Sequence, residues 1–207
     1  MPKVRQARLE DLPAIAHISH QTLLLGREGS RVFPSEALWG ELFVAPYLKR
    51  GCCNLVAEEG KEVVGYILGA CSDGALLGYL LPRLPLLLLR LALGRFGPPL
   101  PHLAYLLRLL LFRGPRAPKG RYPAHLHIAV SAKAQGQGVG RALLTAFLDC
   151  LRAKGVPGVQ LSTTRANQAA RRLYQSLGFR LYAKRASPFW APYHGRPVIH
   201  EVWVKEL

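Results

Sequence analysis

Acidic residues are scarce in this chain: 12 Asp plus Glu stand against 28 Lys plus Arg in 207 residues, a formal charge of +16. None falls between Asp73 and Asp149, a stretch that holds Arg83, Arg90, Arg95, Arg108, Arg113, Arg116, Lys119, Arg121, Lys133 and Arg141. A field of one sign recruits anions, whether nucleotide phosphates, nucleic acid, acidic lipid or an acidic substrate, and charge alone does not choose among them. Cysteine is also sparse. Cys52, Cys53, Cys71 and Cys150 form no CxxC pair and no metal-type spacing with histidine, so neither a disulfide framework nor a metal site is expected. The opening MPKVRQARLEDL has no apolar run of the kind a signal peptide needs, which makes a reducing cytoplasm the expected compartment. With 50% hydrophobic and 19% charged residues the chain is not a disordered polyelectrolyte, and its length suits one domain over residues 1–207.

Hydrophobic periodicity divides the chain by texture. Residues 1–75 read as a strand from Lys3 to Arg8, a helix from Asp11, a helix from Ser35 to Lys49, and a hairpin of Cys53–Glu59 and Glu62–Cys71 turning at Gly60. Residues 76–116 read as an inserted helical hairpin, with 18 leucines in the 38 residues from Leu76 to Arg113. Its helices, about Leu86–Phe96 and His102–Phe112, are expected to be too short and too often interrupted by Arg90, Arg95 and Arg108 to cross a bilayer. They serve either as a cover for the sheet or as a surface for a second copy, a membrane or a lid. The remainder alternates: strand His125–Ser131, helix Val139–Lys154, strand Val159–Thr164, helix Gln168–Leu177, and strands Phe179–Ala186 and Val198–Lys205. This order gives an α/β (α+β) three-layer fold, a central mixed sheet flanked by helices, carrying the Leu-rich insertion.

Between the strand ending at Ser131 and the helix starting at Val139 lies Gln135-Gly136-Gln137-Gly138-Val139-Gly140-Arg141. Glycines at alternate positions let backbone N–H groups converge at a helix N-terminus, where the helix dipole favours an anion such as pyrophosphate. Two other phosphate loops are excluded by spacing: Arg141 stands where a dinucleotide fingerprint needs its third glycine, and there is no Gly-Lys-Ser/Thr ending.

The pattern that fits is QxxGxG. With Asn167, Ala170, Tyr174 and Leu177-Gly178-Phe179 downstream, the sequence resembles the GCN5-related N-acetyltransferase (GNAT) family across essentially the whole chain except the insertion. Tyr122-Pro123 followed by His125-Leu126-His127-Ile128 looks like bacterial members and like the acetyltransferase-like domain attached to some O-GlcNAc hydrolases.

The resemblance implies transfer of an acetyl group from acetyl-CoA, as co-substrate, to the amine of a small molecule or peptide, by direct attack in a ternary complex. It implies cofactor contacts at Ile128, Ala129, Val130, Gln135, Gly136, Gln137, Gly138, Val139, Gly140, Arg141 and Asn167. Tyr174 takes the position of the general acid, though positions 170, 173, 174 and 177 also form an ordinary core face. On the strand, His127 and then His125 are the candidates for the base, each equally readable as a structural histidine. Arg27, Arg31, Trp190, Tyr193 and Arg196, on the two loops that flank an acceptor in the family, are the candidate substrate contacts. Competing expectations are an acyl-CoA-binding module without turnover and a basic nucleic-acid or membrane-surface protein, and the insertion suggests a homodimer contact.

Overall fold

The computed structural model describes residues 2–24, 29–112 and 114–207. The elements run β1 (Lys3–Gln6), α1 (Leu12–Gln21), α2 (Glu36–Trp39), α3 (Ala45–Arg50), β2 (Leu55–Glu59), β3 (Glu62–Ala70), α4 (Asp73–Leu80), α5 (Leu84–Ala92), α6 (Pro99–Leu111) and β4 (Ala124–Val130). They continue with α7 (Val139–Ala153), β5 (Gly158–Thr164), α8 (Gln168–Ser176), β6 (Arg180–Ser187), α9 (Ala191–His194) and β7 (Val198–Glu206). The strands make one mixed sheet in the order β1-β2-β3-β4-β5-β7-β6, in which β4 and β5 are parallel and every other neighbouring pair is antiparallel.

Strand alternation, with one register shift at Val64 where β2 and β3 bulge, splits β3 between the two faces of the sheet. Tyr66, Leu68 and Ala70 join a core with Ile15, Phe33, Trp39, Leu87, Tyr105 and Trp190, under α1 to α6. Val64 and Ile67 join the opposite core, with Leu143, Phe147, Leu151, Tyr174 and Trp203 under α7 and α8. This is the expected three-layer arrangement. α7 follows its apolar stripe closely, burying Val139, Leu143, Leu144, Phe147, Leu148 and Leu151, and the chain leaves it through Gly155 at a φ of 65°, the left-handed conformation that ends many helices. β3 loses its side chain at Gly69 for the same core: a Cβ there would stand 2.3 Å from the Phe147 ring.

Three expectations are corrected. The single helix expected from Ser35 to Lys49 is interrupted by a wide turn at Gly40–Val44. Pro46, in the first turn of α3, has no N–H for the Leu42 carbonyl, so the hydrogen-bond ladder shifts register ahead of it. The first helix of the insertion begins at Asp73 rather than near Leu86. α4, a turn at Leu81–Arg83 and α5 form one helical stretch, Asp73–Ala92, of 20 residues, long and apolar enough by length and composition to cross a membrane. Pro82 and Pro85 do not break it because each lies in the first turn of a new segment, where a missing N–H costs little. Finally, all four cysteines are paired, Cys52 with Cys71 and Cys53 with Cys150. The partners lie 19 and 97 residues apart: the β2–β3 hairpin itself opposes Cys52 to Cys71, and the packing of α7 on that hairpin brings Cys150 to Cys53.

Candidate active site

The site begins where two parallel strands part. β4 and β5 are in register only at Ala124 with Val159 and His125 with Gln160. Beyond His125 the strands separate, and the edge of β4 from Leu126 to Val130 has no strand on its β5 side. Such an unpaired edge offers backbone N–H and C=O groups to an extended ligand. Ile128, Ala129 and Val130 occupy it and are half-buried. Burial of Gln160 holds the strands together at the closed end: its amide receives the Ala117 N–H at 2.9 Å and donates to the Tyr122 carbonyl at 2.8 Å.

The glycine turn lies at the open end. Gly136 and Gly138 have φ of 77° and 81°, and an added Cβ at either would meet nothing within 4 Å, so the turn is open on its outer side. The first N–H of α7 that finds a helical acceptor is that of Ala142, bonded to the Gly138 carbonyl at 3.0 Å, leaving the groups before it for a ligand. Side-chain amides brace the turn from behind: Gln135 donates to the Val130 carbonyl at 3.1 Å and Gln137 to the Lys133 carbonyl at 2.9 Å. Gly140 is packed where Gly136 and Gly138 are open. A Cβ there would sit 3.4 Å from Leu173 and 3.8 Å from Val130, ordinary contact distances, so α8 and the strand pack closely here yet leave room for a methyl group. Arg141 reaches the Ser176 hydroxyl at 2.8 Å and ties the same two helices.

Upstream of the turn, Ser131 and Gln135 form one wall of a cleft of about 710 Å³, with Ile18, Thr22 and Val63 opposite. The Ser131 hydroxyl is buried there without a hydrogen-bond partner among the described residues. An orphaned hydroxyl, backbone donors pointing outward and glycines open to a ligand are what a phosphate-bearing cofactor with a polar arm requires.

α8 supplies the other wall. Asn167 caps it, accepting the Ala170 N–H at 3.1 Å. Arg171 sets its Nε 3.0 Å from Glu201 of β7, a carboxylate only 2% exposed that also accepts the Trp203 indole N–H at 3.2 Å. Tyr174 is buried, its ring 5.9 Å from Phe179 and 6.5 Å from Trp203, and burial pushes its phenol above the ordinary value. The helical-face reading of Tyr174 is therefore met.

His125 and His127 share the other face of β4. Desolvation of the ring among its neighbours and then His125 lower the His127 imidazole to about 4, so it is neutral at pH 7. His125 is held from both sides: Tyr47 donates its hydroxyl to Nε2 at 2.9 Å and Nδ1 lies 3.3 Å from Asp73, at the start of α4. Burial lowers His125 despite that carboxylate. Asp73 also pairs with Lys119 and, at 3.5 Å, with Arg116. Sequence reasoning passed over the Asp73–His125–Tyr47 series because its members lie 52 and 78 residues apart. A signal was available: Asp73 is the last acid before a long acid-free stretch.

The expected acceptor contacts are scattered. Trp190 is buried against Phe189 and Tyr105, with ring centres 4.7 and 6.5 Å away, and serves as packing beneath the insertion; that corrects its expected contact with substrate. Tyr193 is half-buried beside it, whereas Arg31 and Arg196 are exposed. Arg27 lies outside the described residues. Among these residues no cluster of His, Cys, Asp and Glu is suited to a metal ion.

The family model for the acetyltransferase (GNAT) family matches residues 25–179. Mycothiol acetyltransferase of Thermomonospora curvata is 46% identical over 56 residues, 27% of this chain and 19% of that protein. The ribosomal protein bS18 alanine N-acetyltransferase of Escherichia coli is 47% identical over 53 residues, 26% of this chain and 36% of that one. The chain thus spans about a fifth and a third of these two curated relatives. By fold it is similar to yncA of Salmonella typhimurium, described as a putative acetyltransferase with its cofactor acetyl-CoA, at a TM-score of 0.64 and 19% identity, covering 100% of this chain and 94% of the other.

Proposed function

The chain belongs to the acetyltransferase (GNAT) family, and on that premise we propose that it is an N-acetyltransferase moving an acetyl group from acetyl-CoA to an amine in a ternary complex. The observation that carries the proposal is the parting of β4 from β5 after His125, with the glycine turn open at its far end. In this account the N–H groups of Gly136 to Arg141 hold the pyrophosphate, the Ser131 hydroxyl and Asn167 add polar contacts, and Ile128 to Val130 pair with the pantetheine arm. A developing oxyanion accepts hydrogen bonds, so the strand's contribution to it is an N–H, while the Val130 carbonyl accepts from Gln135.

The acceptor enters over the His127 face. Neutral His127 takes the proton released as the amine attacks, and Tyr174, kept protonated by burial, donates a hydrogen bond to the departing thiolate. No cysteine forms an acyl intermediate, because each is committed to a disulfide. Residues 1–207 are read as one acetyltransferase domain, in which Glu201 and Trp203 of β7 buttress α8.

The names of the relatives direct the acceptor search to the alanine of a ribosomal protein and to a mycothiol-type acceptor. The test is release of CoA thiol with each acceptor. We expect turnover that falls by about 10²- to 10⁴-fold in Tyr174→Phe with little change in KM for acetyl-CoA. Turnover unchanged by Tyr174→Phe would remove that residue from the mechanism. A second reading, an acyl-CoA-binding module without transfer, is favoured by one observation: both proton carriers are displaced away from neutrality. Saturable acetyl-CoA binding without turnover on any amine selects it.

A further inference from the structure

The insertion has an inner and an outer face, and only the inner one is accounted for. Leu87, Leu91, His102 and Tyr105 point into the core. His102 is fully buried, donating from Nδ1 to the Pro98 carbonyl at 2.8 Å and receiving the Ser35 N–H on Nε2 at 3.1 Å. Arg108 fastens α6 to the Pro188 and Phe189 carbonyls.

The outer face is bare leucine. Of the 15 large hydrophobic residues exposed among the described residues, 12 are leucines between Leu77 and Leu111, from 39% to 77% exposed. A patch of this kind on a soluble surface marks a docking site. Its charge selects the occupant. Arg90 and Arg95 are exposed beside the leucines, and no acid lies between Asp73 and Asp149 to pair with them. In a two-fold contact with a second copy the same patch would face itself, setting arginine against arginine with no counter-charge. An anionic lipid leaflet supplies both needs, acyl chains for leucine and headgroup phosphates for arginine.

We propose that the outer face of α4 to α6 docks the protein onto an anionic membrane surface. The helices lie on the leaflet rather than across it. The 20-residue stretch is long enough to span, but Leu87 and Leu91 within it, and His102 and Tyr105 on α6, are part of the core and cannot leave without opening it. α4 begins at Asp73, which touches His125, so the docked helices place the acceptor face of the site beside the lipid surface.

The test is co-sedimentation of the whole chain with vesicles of phosphatidylcholine alone or with about 30% phosphatidylglycerol. Binding is expected only to the anionic vesicles and is expected to weaken with salt. Arg90→Gln with Arg95→Gln should lower the partition coefficient about 25-fold, near fivefold for each arginine. Leu86→Gln, Leu89→Gln and Leu93→Gln together should abolish it, while circular dichroism and acetyl-CoA binding stay as in the wild type. Absence of binding to anionic vesicles overturns the proposal. So does binding that leucine replacement leaves intact, which would mean a charge-only contact with polyanions, and so does a wild-type dimer that the leucine variant turns into monomer.

Discussion

Reducing the two disulfides is the perturbation whose size follows most directly from the fold. Cys53–Cys150 ties the start of β2 to α7, the helix that carries the glycine turn, and closes a loop with a sequence separation of 97. The chain-entropy argument gives about 4.7 kcal/mol for a loop of that length and about 3 kcal/mol for the 19-residue separation of Cys52–Cys71. The loops overlap, so the two figures do not add. Because a domain of this size holds only about 5–15 kcal/mol in total, the longer bridge alone represents a third or more of its stability. Urea unfolding of Cys53→Ser/Cys150→Ser, followed by circular dichroism, should show a midpoint about 2 M below the wild type at a slope of about 2 kcal/mol/M. Cys52→Ser/Cys71→Ser should lose less. Equal losses in the two variants, or a midpoint unmoved in either while mass spectrometry shows both bridges in the parent, would refute the reasoning.

Three further outcomes are expected. Glu201→Ala leaves the partly exposed Arg171 guanidinium without its carboxylate and the buried Trp203 N–H without an acceptor, and should cost about 1–3 kcal/mol by thermal or urea unfolding; a loss under about 0.5 kcal/mol would contradict the pairing. His127 and His125 are both lowered in the fold, so their neutral forms favour folding: stability is complete above about pH 6.5 and falls as pH drops toward 4. Melting temperatures between pH 7 and pH 4 should show that fall, and His127→Gln should flatten it. In acetyl transfer the same shift means that the acidic limb of kcat/KM follows the acceptor amine, so a limb fixed near pH 6.5 for amines of different basicity would exclude His127 as the base.

Local pattern made much of this fold legible. α7 and α8 start where their apolar stripes and caps place them, at Val139 and Gln168, because an amphipathic helix over a sheet is specified by its own spacing. Every strand after residue 120 lies within two residues of its expected bounds. What escaped depends on contacts distant in sequence. Cys53 meets Cys150 only through the way α7 lies on the hairpin, which no spacing rule reveals, whereas Cys52 and Cys71 are opposed by the hairpin itself. The Asp73–His125–Tyr47 series and the Glu201–Arg171 pair are likewise made by topology. Pro82 and Pro85 misled in another way: prolines that suggest breaks in a sequence are harmless in a first helical turn. At the site, the glycine turn was legible because its chemistry is carried by backbone. Trp190 was not, since an aromatic on a loop looks the same whether it meets a ligand or the underside of an inserted helix.

The central claim is that the glycine turn holds the pyrophosphate of acetyl-CoA. Calorimetric titration of acetyl-CoA into the wild type and Gly138→Asp tests it directly. At a φ of 81° with open space around it, position 138 accepts aspartate at a cost of about 1–2 kcal/mol, so the variant should remain folded while its carboxylate confronts the phosphates. The account predicts saturable one-to-one binding in the micromolar range for the wild type and at least a hundredfold weakening in the variant. Equal affinity in both proteins, or no binding by a folded wild type, would contradict it.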